Sequence, residues 1–83
     1  MGLEEAVGEA LRTARKQKGL SQEALALEAG IERNYVSLIE RGKHSPSVRI
    51  VFKLCRVLGI PASTFLARVE DQIGKKRQGR TRA

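Results

Sequence analysis

Arg33, Asn34 and Ser37 lie within one stretch of five residues and bring together a guanidinium, a carboxamide and a hydroxyl. Groups of this kind bind by directed hydrogen bonds. A guanidinium can donate two parallel bonds to guanine, a carboxamide can donate to and accept from adenine, and a hydroxyl can bond to either kind of partner. Ser21, Ser37 and Ser63 have no histidine near them in sequence, so they read as caps or contacts and not as nucleophiles. His44 follows a helix end with no second His, Cys or carboxylate at ligand spacing, which makes it a loop or phosphate-adjacent residue. The chemistry on offer is recognition. No catalytic residue, metal ion or cofactor is expected, and no small-molecule ligand.

The three groups share a surface only if a helix carries them. At about 100° per residue, Tyr35, Val36 and Ile39 fall on one side, while Asn34, Ser37 and Arg41 fall on the other, flanked by Arg33 and Leu38. Ahead of this helix, Ser21 is placed to cap a shorter one, with Leu20 and Leu25 at the two positions of a hydrophobic staple. Gly30 stands where the chain must reverse. Two short helices joined by a tight turn, with polar groups on the outer face of the second, form a part that fits the major groove of DNA. Two residues keep two readings each. Leu38 either meets a thymine methyl group or covers the edge of the core; Tyr35 either edges the core or donates its hydroxyl to phosphate.

The elements that must hold this pair also read as helices. In residues 3–18 the apolar positions Leu3, Ala6, Val7, Ala10, Leu11 and Ala14 recur at helical spacing, and Gly19 closes the segment. Arg12, Lys16 and Lys18 are expected in solvent. Ser45-Pro46-Ser47 is a turn and cap, after which Val48, Val51, Leu54, Cys55 and Leu58 make the inner stripe of a fourth helix ending at Gly59. A fifth follows Ile60-Pro61, with Phe65, Leu66, Val69 and Ile73 on one side. No strand pattern competes, so the fold class is all-α. Ile50 and Val57 widen the stripe of the fourth helix beyond the ~100° of a surface helix. Either the fifth helix covers them, or a second copy of the chain does, through an interface containing Ile50, Val57 and Phe65.

Composition fits a small binding module. With 83 residues the chain makes one domain, burying roughly 60% of its unfolded surface, too little for a deep catalytic pocket as well as a core. Hydrophobic residues make up 41% but aromatics only 4%, so Leu, Ile, Val and Ala must build that core. No run approaches the ~20 apolar residues of a membrane span, so no membrane partner is expected. The first ten residues hold three glutamates, unlike a signal peptide, and the cytoplasm is the expected location. Cys55 is alone, which excludes an internal disulfide and suits a reducing compartment. Of the net charge of +7, Lys75, Lys76, Arg77, Arg80 and Arg82 supply five. The expected organisation is a domain over residues 1–73 and a basic, disordered tail over 74–83, either a solubilising end or one that grazes phosphates.

These residues resemble the helix-turn-helix of the phage repressor and Cro-like family, often called XRE. The likeness extends to Arg-Lys-Gln-Lys-Gly-Leu-Ser-Gln at 15–22 and from Pro-Ser-Val at 46–48 to Leu-Gly-Ile at 58–60, covering roughly residues 11–66. The resemblance implies a compact five-helix repressor-like domain that binds operator DNA, usually as a homodimer. Carried over residue by residue, it places Arg33, Asn34 and Ser37 against bases, Gln22 on phosphate, and Arg41 and Lys43 near the DNA backbone; on their own chemistry Leu38 is added to the candidate base contacts, and Ser21 and Tyr35 to the candidate backbone contacts. It also pairs Arg15 with Glu40 between two helices, worth ~0 to 1 kcal/mol if exposed and roughly 3 to 5 kcal/mol on removal of one partner if buried. Two positions depart from the pattern. Ala24 stands where a capping-box glutamate is frequent, and Glu32 where serine, threonine or aspartate would cap the recognition helix better. Its carboxylate suits the helix dipole but repels phosphate.

The function implied is a sequence-specific transcriptional regulator. A two-fold dimer would set two recognition helices about 34 Å apart, matching an inverted repeat. The Arg-Asn-Tyr-Val-Ser start of the recognition helix is similar to that of controller proteins of restriction-modification systems. The alternative is an antitoxin-like protein-interaction module on the same fold. A basic recognition face favours the regulator.

Overall fold

The chain forms α1 (Leu3–Lys18), α2 (Gln22–Ala29), α3 (Arg33–Glu40), α4 (Val48–Leu58) and α5 (Ala62–Thr81), with apolar residues returning every third or fourth position as far as Ile73. The computed structural model describes the backbone of residues 1–81 and the side chains of residues 1–74. Local chemistry sets the helix ends. The Glu5 carboxylate accepts from the Gly2 amide at 3.0 Å, and Arg15, Lys16 and Lys18 occupy the last turn of α1, where cations suit the helix dipole. Ser21 and Ser47 cap α2 and α4, their hydroxyls accepting from the Ala24 amide at 3.0 Å and the Ile50 amide at 3.2 Å. Glu32 begins α3 without a side-chain cap. Between α2 and α3 the reversal needs a left-handed residue, and Gly30 supplies it at φ 74°, a conformation that costs glycine little.

The core lies where α1 crosses α3 and α5 and where α2 packs on α3 and α4. Leu11, Leu25, Val36 and Ile39 are fully buried at its centre, with Leu54, Cys55, Leu58, Phe65 and Val69 filling the side toward α4 and α5. Each large aliphatic side chain taken out of water contributes roughly 1.5 to 3 kcal/mol. α4 and α5 meet at 105°, so the two helices wrap a corner of the core. Among the described residues no single helix is long and apolar enough to cross a membrane.

The structure redraws the apolar surface expected from the sequence. Phe65, assigned to an interface, is only 2% exposed; it is a core residue of its own chain. Ile50 and Val57 pack, half-buried, against the same core. Val48, assigned to the inner stripe, is 73% exposed and Phe52 is 61% exposed. The buried stripe of α4 is Leu54, Cys55 and Leu58, with Val51 half-buried beside it, and Val48 and Phe52 lie outside it. Leu3 and Leu66 are also exposed. Leu3, Val48 and Leu66 join Val7, Pro46, Val51 and Val69 around one apolar cleft of about 300 Å³.

At the C-terminus, α5 continues to Thr81 instead of ending near Ile73. Lys, Arg and Gln are good helix formers, and cations at a helix C-terminus meet a favourable dipole. The side chains of residues 75–83, and so any contact of the basic tail with phosphate, lie outside the described residues. Cys55 is buried, and burial pushes its thiol pKa up, away from the reactive thiolate. The native protein is expected to leave Cys55 unlabelled by a thiol-specific reagent and to react only when unfolded; rapid labelling under native conditions would contradict this packing.

Candidate nucleic-acid interface

The outer face of α3 is built by burying the inner one. Val36 and Ile39 are sealed in the core, and the helical repeat then leaves Arg33 and Asn34 exposed, with Ser37 and Leu38 half-exposed beside them. The four residues assigned to base contact therefore border one water-facing surface. Arg41 follows at the end of α3, its Nε donating to the Ser37 carbonyl at 3.4 Å. Lys43 is exposed, and its amide donates to the Leu38 carbonyl at 2.9 Å, which ties the start of the next loop to α3. Tyr35 is half-buried against the core, and its ring meets the His44 ring edge-on, with centroids 4.8 Å apart and planes at 68°. Both readings of Tyr35 draw on this pose, an apolar body against the core with a ring also held by the loop. Glu32 is exposed at the start of α3, so a carboxylate sits beside the cationic and amide groups.

Ser21 and Gln22 lie at the start of α2, next to α3. Ser21 is exposed, with its hydroxyl committed to the helix cap. Gln22 was assigned to phosphate, yet its amide Nε2 donates to Glu40 Oε1 at 3.0 Å. It belongs to the support of the site as well as to its edge.

Glu40 is the anchor of that support. Its side chain has 0% exposure, and a carboxylate so placed must be neutralised and hydrogen-bonded where it stands. Arg15 does both. Nε donates to Glu40 Oε2 at 2.7 Å, Nη2 donates to Oε1 at 3.0 Å, and Nη1 donates to the Leu20 carbonyl at 2.9 Å. Two parallel bonds between planar groups are the strong, orienting form of the ion pair. The bonds to Glu40 hold the Arg15 pKa above its ordinary value, against the opposing effect of burial. Arg12, expected in solvent, is 46% exposed but also brings Nε to 3.9 Å from Glu40 Oε1. One buried carboxylate thus ties α1, the start of α2 and the end of α3 together.

Sequence reasoning missed Gly8. It is buried in α1, against the last turn of α3: a Cβ built there would lie 2.5 Å from the Ile39 carbonyl oxygen and 2.7 Å from that of Glu40. A glycine inside an otherwise periodic helix was the available signal, since such a residue often marks close approach of a backbone.

Residues 11–65 match the helix-turn-helix family HTH_3. The chain belongs to that family. This helix-turn-helix protein is 38% identical over 61 residues to an uncharacterised HTH-type transcriptional regulator of Archaeoglobus fulgidus, covering 74% of this chain and 77% of that one. Its fold is similar to that of the clp gene regulator ClgR of Corynebacterium glutamicum, with a TM-score of 0.81, 30% identity, and coverage of 87% of this chain and 94% of that one. It is also similar to the restriction-modification controller protein C.AhdI of Aeromonas hydrophila, with a TM-score of 0.73, 39% identity, and coverage of 75% and 94%.

Removing Arg15 strands the Glu40 carboxylate with only Gln22 and distant Arg12. Arg15→Ala is expected to cost about 3 kcal/mol in urea unfolding, the lower end for a broken buried pair. Arg15→Lys is expected to recover only part of it, because an ammonium lacks the planar fork. Full recovery with lysine would mean that charge alone matters here.

Proposed function

We propose that this helix-turn-helix protein is a sequence-specific transcriptional regulator that reads double-stranded DNA with α3 in the major groove, and that it acts in the cytoplasm as a homodimer on an inverted repeat. The observation that carries this reading is the shared outer face of Arg33, Asn34, Ser37 and Leu38 on a helix held to the scaffold through Glu40. Rigid presentation of a few hydrogen-bonding groups is what base readout requires. Arg33 is assigned to guanine and Asn34 to adenine, with Ser37 and Leu38 completing the face. Arg41 and Lys43, exposed at the end of α3, are assigned to phosphates with Ser21, Gln22 and Tyr35. The likeness to C.AhdI supports a controller-type regulator of a restriction-modification system.

For the dimer, the exposed apolar residues replace those assigned from sequence. Val48, Phe52, Leu66 and Leu3 form the proposed contact, with Ile50 and Val57 supporting it from within and Phe65 omitted. Charged residues of both signs neighbour these apolar ones. Arg49, Lys53 and Arg56 line a cleft with Phe52, while acidic Glu4, bonded by the Ser45 hydroxyl at 3.4 Å, adjoins Leu3 in sequence and exposed Glu70 stands one turn beyond Leu66. A two-fold interface must be self-complementary, and apolar residues that have both basic and acidic neighbours suit that need.

Selection from random-sequence duplexes is expected to recover an inverted repeat. On that duplex Arg33→Ala should lose roughly 1 to 3 kcal/mol of discrimination at one base pair, while Lys43→Ala should weaken all sequences alike and lower the salt slope by about one. Equal losses on selected and random DNA for both variants would refute the assignment. No selection at all would favour the protein-interaction alternative. Leu66→Asp should shift the chain from dimer to monomer in sedimentation equilibrium, and a dimer that persists would remove this face from the interface.

A further inference from the structure

We propose that Gly8 is a positioning residue for base recognition: its bare Cα sets how far α3 projects from the scaffold. This inference rests on the DNA-reading role of α3. Glycine is a poor helix former, and Gly8 stands inside α1 without needing a left-handed backbone, since the positive-φ glycines are Gly19, Gly30, Gly42 and Gly59. What it supplies is space. A Cβ would stand 2.5 Å from the Ile39 carbonyl oxygen, 2.7 Å from the Glu40 oxygen and 3.0 Å from the Glu40 carbonyl carbon.

Those neighbours are backbone atoms. A side chain pressed at that distance rotates aside, but the last turn of α3 can yield only by moving as a unit. The inner side chains Val36 and Ile39 are already fully buried, so an inward path is closed and the displacement must carry α3 away from α1. A shift of roughly 0.5 Å or more is enough to spoil a directed recognition geometry. Arg33, Asn34 and Ser37 ride on the same short helix and must follow it.

Gly8 does not act alone. Arg15 lies seven residues further along α1, two turns on and on the same side, and it grips the Glu40 carboxylate through 2.7 and 3.0 Å bonds. Gly8 meets the backbone of the same residue. One turn before Gly8, the Glu5 Cα and Cγ stand 3.4 and 3.2 Å from where a Gly42 Cβ would lie. α1 therefore seats the end of α3 and its exit at successive turns: Arg15 holds Glu40 in, and Gly8 fixes the closest approach. Phosphate contacts from long cations such as Lys43 tolerate a displaced helix better than paired bonds to base edges do.

The test compares full-length Gly8→Ala with Ala14→Gly, which removes a buried methyl from α1 and adds nothing against α3. Two duplexes serve as probes, the one recovered by selection with the unaltered chain and one of random sequence, over a series of salt concentrations. For Gly8→Ala we expect the preference for the selected duplex to fall at least tenfold, with random-duplex affinity within about twofold and the salt slope unchanged. Ala14→Gly should keep the preference. In the DNA-free proteins, amide NMR shifts across Arg33–Glu40 should change in Gly8→Ala and not in the control, a readout independent of DNA. An unaltered preference, unaltered α3 shifts, or a Gly8→Ala chain that does not fold would overturn the proposal and leave Gly8 as packing alone. An unaltered chain with no preferred duplex would instead sink the regulator reading, while the amide shifts would still decide the seat of α3.

Discussion

A carboxylate removed from water must find its counter-charge and its hydrogen bonds in place, and Glu40 is such a group at the end of α3, the helix proposed to read DNA. Its oxygens are met by Arg15 from α1 and Gln22 from α2, so three helices have to arrive together before the charge is satisfied. A hydrophobic contact would tolerate sliding. A bidentate pair does not, because both nitrogens must face both oxygens at once. The pair therefore specifies register as well as adding attraction, and α3 inherits a fixed orientation from α1.

That constraint explains the division of labour on a helix of only eight residues. Such a short helix is not stable by itself, and α3 lacks even a side-chain cap at Glu32. Its stability is tertiary: Val36 and Ile39 bury one side, Glu40 locks the end, and the Lys43 amide closes onto Leu38. With the inner face and the end committed, the remaining side chains are left free to meet a partner. Arg33 and Asn34 need make no structural contact to be well placed.

Much of this was legible in the residues. Periodicity and caps marked the five helices, because Ser21, Ser47 and Gly30 each satisfy a local requirement of the backbone. The two faces of α3 followed from a helical wheel, and the Arg15 to Glu40 link from the resemblance. What was not legible depended on packing between elements. A wheel places Val48 near the inner stripe of α4 but cannot say that this first residue of α4 stands clear of the core. It cannot say that Ile50 and Val57 pack against the chain's own core, or that Phe65 turns inward. The resemblance implies a phosphate contact for Gln22 but not its 3.0 Å bond to Glu40 across the packed helices. Gly8 was visible as a glycine in a helix, but its reason is the α3 backbone, a long-range neighbour that no local pattern encodes.

The central claim is that the face of Arg33, Asn34 and Ser37 reads base edges in the major groove while Glu40 keeps that face rigid. Methylation of guanine N7 puts a group in the major groove and leaves the minor groove untouched. On the selected duplex, methylation at one or two guanines in each half-site is expected to abolish binding, and a minor-groove ligand is expected to leave it intact. Binding indifferent to N7 methylation and displaced by the minor-groove ligand would contradict the account.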